Sequence, residues 1–230
     1  QKEEFYPEVI SAGVKDCYYL PQAAHPTIHQ PLKLSFEQKK LYKADLSFMG
    51  AAYHNRIQSF PRLLDLDFKI WGTGWDLNSP LGKRVQNHNE RVTTDEKVKI
   101  YNAAKINLNL HSSVYHYGIN PDGDFVNPRT FEIASCKGFQ LVDRRSDLSN
   151  LFNVDEELVV FNSFEELKDQ FNFYISNPKL RSEIANRSYQ RVLAEHTIEH
   201  RMQELLIHVF INRFDSLQKN HMSKLDSLSY

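Results

Sequence analysis

Short apolar runs that stop at a glycine or a polar residue alternate along this chain with stretches whose apolar residues recur at helical spacing. Leu46-Ser-Phe-Met49 ends at Gly50 and Phe68-Lys-Ile-Trp71 ends at Gly72, and both read as buried strands closed by a glycine turn. Between them Ile57, Phe60, Leu63 and Leu64 recur at helical spacing within Tyr53 to Leu64, which completes a strand–helix–strand unit. Ahead of that unit, Cys17-Tyr-Tyr-Leu20 predicts a short strand, Pro21 to Pro31 an extended connector, and Ser35-Phe-Glu-Gln38 a capping box. Behind it, Thr93-Thr-Asp-Glu96 caps a helix carrying Val98, Tyr101 and Ala104, and Ile106-Asn-Leu-Asn-Leu110 follows as a strand. Asn127-Pro128 opens a helix that Gly138 closes. Phe139-Gln-Leu-Val142 and Leu158-Val-Val-Phe161 predict two more strands, separated by a short helix near Leu148 to Phe152. Ser163-Phe-Glu-Glu166 and Asn177-Pro178 cap two further helices, and Thr197 to Leu217 reads as a long amphipathic one. Five or six such units define an α/β protein: a parallel sheet with helices on both faces and a long C-terminal helix.

The chain is long enough, at 230 residues, for one large domain with a real core. The expected division is a connector and remnant of a preceding domain over 1–31, the α/β domain over 32–217, and a polar tail over 218–230. A net charge of −1 supplies no broad positive field, so a nucleic-acid partner is not expected. No run approaches the roughly 18 apolar residues of a membrane span, and Gln1 to Tyr6 lacks the layout of a signal peptide. Cys17 and Cys136 read as buried free thiols in a reducing compartment, so the cytoplasm is the expected location. The first residue is not Met, which suggests a fragment or a processed chain.

Six of the eight glycines lie between Gly50 and Gly123 and none follows Gly138, which puts the shaped loops in the first part of the domain. In parallel sheets ligands bind beyond the carboxyl ends of the strands. That directs attention to the loops after Met49, Trp71, Leu110 and Val142, where Gly50, Gly72 and His111 are the first residues past their runs. Gly50-Ala51-Ala52 leads into a helix that carries Arg56, an arrangement suited to a phosphate, although a plain turn with a solvated arginine is the simpler account. It matches neither a Walker loop nor the three-glycine dinucleotide fingerprint. In Trp71-Gly72-Thr73-Gly74-Trp75 the tryptophans form either the wall of a base or sugar pocket or part of the core.

Asp124-Phe-Val-Asn-Pro-Arg-Thr-Phe-Glu132 is the most informative run. With Asn127 as cap, the N–H groups of Arg129 and Thr130 are expected to point outward, and the Arg129 guanidinium suits a diphosphate. Glu132 falls on roughly the same helix face, where it would either accept hydrogen bonds from two ribose hydroxyls or pair with Arg129 at the surface.

Val126-Asn-Pro-Arg-Thr-Phe-Glu-Ile-Ala-Ser-Cys-Lys-Gly138, together with Phe48 to Arg56, Trp71-Gly72 and His196-Thr197…Arg201, resembles the spore-maturation glycosyltransferase-like family. More broadly it is similar to the Rossmann-like, donor-binding C-terminal domain of retaining GT-B glycosyltransferases of the family 4 type. The resemblance spans about Asp16 to Leu206. It implies a nucleotide-diphospho-sugar as substrate with no further cofactor, and an acceptor-binding N-terminal domain as partner. By the same resemblance Glu132 takes the nucleotide ribose, and Asp124, one methylene shorter than the glutamate it replaces, lies near the donor sugar. Arg129, and Arg56 with the Gly50 loop, would face the diphosphate and stabilise it as a leaving group.

No metal site is expected: Asp122-Gly-Asp124 imitates a metal-binding pair, but so by chance does Asp65-Leu-Asp67, and His25/His29 and His196/His200 lack a third ligand. The expected activity is hexosyl transfer that this chain alone would not complete. The alternatives are a sugar-nucleotide epimerase of the same architecture and a non-catalytic assembly module docked through its last helix.

Overall fold

The structure is a computed structural model, and it describes residues 6–14 and 17–211. Five strands, β1 (Leu46–Met49), β2 (Phe68–Trp71), β3 (Ile106–Asn109), β4 (Gln140–Asp143) and β5 (Val159–Phe161), form one sheet in the order β2-β1-β3-β4-β5, and all pair in parallel. The helices are α1 (Tyr6–Ser11), α2 (Phe36–Tyr42), α3 (His54–Ser59), α4 (Thr94–Ala103), α5 (Pro128–Ser135), α6 (Leu148–Leu151), α7 (Phe164–Ile175), α8 (Pro178–Glu195) and α9 (198–211). The chain leaves β1 toward β2, then returns to place β3 on the other side of β1. The carboxyl ends of β1 and β3 therefore flank the topological switch point, where open α/β sheets bind ligands.

Each strand alternates its residues between two faces. On one face Leu46, Phe48, Ile106, Leu108, Leu141, Val159 and Phe161 pack with Phe60 and Leu63 after α3, with Phe164, Leu167 and Phe171 of α7, and with Ile184 of α8. These strand side chains are at most 2% exposed, and each contributes about 2 kcal/mol by burial. On the other face Val142 and Val160 pack with Phe131 and Ala134 of α5, Leu148 and Leu151 of α6, and Val192 of α8. Ser47, Asn107, Asn109 and Gln140 are buried as well.

The capping box at Ser35 and the caps at Thr93, Asn127 and Ser163 form as the sequence predicts. Asn177 differs: it occupies the cap position of α8, but its side chain donates to the Phe173 carbonyl at 2.6 Å instead of capping. The strand expected at Cys17-Tyr-Tyr-Leu20 is absent, because that segment meets no free sheet edge. The connector instead pairs only through Ala24 with Thr197, an isolated bridge outside the main sheet. Tied down there, the connector packs onto the domain, with Ala24 fully buried and the Ser135 hydroxyl donating to the His29 carbonyl at 2.5 Å. Cys17 is only half-buried, contrary to expectation, whereas Cys136 is buried; both are free thiols. The expected helix to Leu217 is seen from 198 to 211, and its last predicted residues, Phe214 and Leu217, lie outside the described residues, as does the tail over 218–230. No helix among the described residues is long and apolar enough to cross a membrane.

Candidate functional site

Two arginines meet at the switch point. Arg56 leaves the first turns of α3, is 3% exposed, and donates from Nη1 to the Ala51 carbonyl at 2.9 Å and from Nη2 to the Leu110 carbonyl at 2.8 Å. Those bonds tie the ends of β1 and β3 together. Arg129, in the first turn of α5, donates from Nη1 to Asn109 Oδ1 at 3.1 Å. The buried Phe48 ring carries both guanidinium groups, with Cζ of Arg56 at 4.9 Å and of Arg129 at 5.2 Å from its centroid. Gly50 lies beneath the pair: a Cβ there would stand 2.8 Å from Arg129 Nη2 and 3.2 Å from Arg56 Nη1.

Among the described residues neither arginine forms an ion pair with a carboxylate, and Nε of each is buried without a hydrogen bond. Burial and then the Arg129 charge push Arg56 down to about 9, so Arg56 stays a cation at neutral pH. Two guanidiniums without a carboxylate partner thus share one aromatic ring at the sheet's switch point.

A buried polar network fixes the first turn of α5 above that site. The Asn127 side chain accepts from the Thr130 N–H at 3.1 Å and donates to Asn109 Oδ1 at 2.9 Å. Asn109 donates in turn to the Thr130 hydroxyl at 2.9 Å and to Gln140 Oε1 at 3.1 Å. The Thr130 N–H is thus consumed by the cap, so the expectation that it points outward is corrected. Arg129, beside Pro128, contributes the backbone N–H of that turn that takes no partner among the described residues. His111 closes the network. Its Nε2 accepts from the Asn127 N–H at 3.0 Å, which requires Nδ1 to carry the proton, and Nδ1 lies 2.6 Å from Asp143 Oδ1. Burial lowers His111 and keeps it neutral. Burial opposes the charge on Asp143, but His111 and Arg145 outweigh it and hold that carboxyl below its usual range.

Glu132 points to a neighbouring cluster. It is 9% exposed, accepts from Lys97 Nζ at 2.8 Å and from the Tyr101 hydroxyl at 3.3 Å, and lies 3.6 Å from His29 Nε2. No Arg129–Glu132 ion pair forms among the described residues. Lys97, Tyr101 and His29 carried no motif, and only the fold brings them to this carboxylate. Asp124 is half-buried in the loop that enters α5.

Gly72 and Gly74 serve backbone geometry. Gly72, at φ +142°, passes so close to Gly50 that a Cβ would lie 2.2 Å from the Gly50 carbonyl oxygen, and Gly74 has φ +80°. The wall reading of the tryptophans is overturned, because both are core. Trp71 is 2% and Trp75 3% exposed, and Trp75 stacks on Phe60 while donating from Nε1 to the Gly50 carbonyl at 3.1 Å. The histidine pairs are spent structurally: His196 Nε2 meets the Leu151 carbonyl at 2.7 Å, and His29 Nδ1 accepts from the His25 N–H at 3.2 Å. Among the described residues no group of three His, Cys, Asp or Glu could hold a metal.

A cleft of about 490 Å³ opens beside His111 and Asn127 and is lined further by Ser113, Asn120, Gly123 and Arg145. Glu132 thus meets α4 through Lys97, the arginine pair sits over Phe48 of β1, and the cleft is lined by His111 past β3 and Arg145 past β4.

Parallel topology and the capped α5 at the switch point define a Rossmann-like α/β domain. Residues 54–207 match the family described as glycosyl transferase-like, and the chain belongs to that family. It is 28% identical over 206 residues to the spore protein CgeB of Bacillus subtilis, a match covering 85% of this chain and 61% of CgeB. Its fold is similar to the C-terminal domain of LpcC, a group 1 family glycosyl transferase of Francisella tularensis, with a TM-score of 0.57 and 15% identity over 76% of this chain and all of that one. It is also similar to Anabaena Alr3699/HepE, solved with UDP and glucose, with a TM-score of 0.61 and 10% identity over 87% of this chain and 59% of that one. The chain thus spans about three fifths of the length of CgeB and of HepE.

Proposed function

We propose that this chain binds a nucleotide-diphospho-sugar and is the donor-binding half of a GT-B glycosyltransferase whose acceptor site lies on a further domain. The observation that carries the reading is the Arg56–Arg129 pair, two cations without an acidic partner above Gly50. A diphosphate placed there replaces the missing counter-charge and receives the Arg129 N–H at the mouth of α5. The nucleoside extends toward Glu132, whose carboxylate accepts from the ribose hydroxyls beside Lys97, and the glycosyl unit extends into the cleft past His111, near Asp124.

In the reaction the bond between the anomeric carbon and the diphosphate breaks, and the acceptor oxygen bonds to that carbon while its proton passes to an oxygen of the departing diphosphate. The electron pair leaves with the diphosphate, where Arg56 and Arg129 stabilise the added charge. Both cations are in place before the bond breaks, so little reorganisation accompanies the step. The exposed apolar face of α9, with Ile198, Met202, Leu206 and Phe210 each 41–54% exposed, offers a surface for the further domain.

Calorimetric titration of the chain with UDP, GDP and ADP tests the reading. One of them binds saturably, and Arg129→Ala, Arg56→Ala and Glu132→Ala each weaken it by about tenfold or more, the loss of a charged hydrogen bond. Absence of binding by all three contradicts a donor site and favours the assembly role. With labelled nucleotide sugar and full-length protein, label moving to an acceptor marks a transferase, whereas label retained in an isomerised nucleotide sugar marks an epimerase.

A further inference from the structure

The diphosphate site leaves the buried guanidinium of Arg145 unused. Arg145 lies two residues past the end of β4, is 8% exposed, and lines the cleft beyond His111. Its Nη2 comes within 3.2 Å of Asp143 Oδ2, yet that oxygen and Arg145 Nε are both buried without a hydrogen bond. A salt bridge built only for stability would align these groups, since a buried polar atom left unpaired costs free energy. Asp143 does not need Arg145 for its other oxygen, because Oδ1 already takes the His111 N–H at 2.8 Å and faces Nδ1 at 2.6 Å.

The surroundings are shaped around the guanidinium. A Cβ on Gly123 would lie 2.0 Å from Arg145 Nη1, so the absence of a side chain there makes its space. The Ser146 N–H donates to the Gly123 carbonyl at 3.1 Å and stitches the two loops together around it.

We propose that Arg145 determines donor specificity by donating hydrogen bonds to hydroxyl oxygens of the glycosyl unit, and that this unit is uncharged. The assignment rests on the diphosphate placement proposed above. Asp143 neutralises the charge of Arg145, which leaves the guanidinium as a directional donor and not as a free counter-ion for a carboxylate. Its planar fork matches vicinal hydroxyls, a geometry that an ammonium group does not reproduce.

Calorimetry on the wild-type chain, Arg145→Lys and Arg145→Gln with UDP and UDP-glucose, GDP and GDP-mannose, and UDP-glucuronic acid tests this. For the pair that binds, the wild type prefers the nucleotide sugar over its diphosphate. Both variants lose about tenfold in affinity for the sugar nucleotide and keep that for the diphosphate. Arg145→Lys preserves a cation beside Asp143, so an unchanged unfolding midpoint in that variant separates lost contact from lost fold. Equal losses for diphosphate and sugar nucleotide, no loss for either, or no wild-type preference for the sugar nucleotide overturns the assignment while leaving the diphosphate site standing. Tightest binding of UDP-glucuronic acid overturns the uncharged class. A wild-type chain that binds no diphosphate overturns the placement on Arg56 and Arg129 first, and this assignment with it.

Discussion

Gly50 shows how a single missing side chain makes room for charge. Its Cβ would press on both guanidiniums and on the Phe48 ring, at 3.0 Å from Cζ, while its backbone needs no left-handed conformation. Gly50→Ala therefore costs about 1–3 kcal/mol, the usual range for overpacking, and weakens the binding diphosphate by about tenfold by displacing both cations. Gly72→Ala is a different case, because its Cβ meets backbone and its φ is +142°. No side chain can yield there, and the variant is expected to lose more stability than Gly50→Ala. Urea unfolding of the two variants compares them, and equal losses would show that Gly72 is not held against Gly50. Asn109 carries an equal weight through hydrogen bonds: Asn109→Ala strands the Asn127 side-chain N–H, Gln140 Oε1 and Arg129 Nη1, at a cost of about 2–3 kcal/mol. A urea midpoint within error of wild type would show the network to be slack.

At the scale of elements, the sequence was most readable where local chemistry decides. Ser35, Thr93, Asn127 and Ser163 cap helices because their side chains reach an N–H three residues on, a purely local geometry. The runs ending at Gly50 and Gly72 became β1 and β2 because, besides their buried pattern, each found a partner in the sheet. Cys17-Tyr-Tyr-Leu20 has strand composition and forms none, since a strand needs an edge to pair with and pairing is non-local. Asn177 sits where a cap belongs and turns to Phe173 instead, a choice made by the end of α7. Arg56 and Arg129 were legible because each is tied to its own loop or helix start. Lys97, Tyr101, His29 and Arg145 were not, because 31 to 103 residues separate the first three from Glu132, and Arg145 gains meaning only when β4 is laid beside β3. The polar alternation in Ile106-Asn-Leu-Asn-Leu110 was visible, but that its asparagines would seat α5 depends on which helix covers that face.

At the scale of the molecule, buried titratable groups make stability depend on pH. Burial lowers His29, His111 and His196 below the ordinary histidine value of 6.5. Between their folded values and 6.5 the unfolded chain binds more protons than the folded one, so stability falls as pH drops through 6.5. Asp143, whose folded value is lowered, contributes stability that is present above the unfolded carboxyl value and lost as pH falls through the folded one. The urea midpoint is therefore expected to be lower at pH 5.5 than at pH 7.5, and a higher midpoint at pH 5.5 would show that the three imidazoles are not buried neutral. The same assembly of elements brings the two arginines together: β1 and β3 end side by side, α3 and α5 each deliver an arginine there, and Phe48 seats both. Crystals of the chain soaked with whichever of UDP, GDP or ADP binds in solution test this most directly. The account predicts difference density for a diphosphate within hydrogen-bond distance of both Arg56 and Arg129, above Gly50. Diphosphate density elsewhere, with those two guanidiniums out of reach, would contradict it.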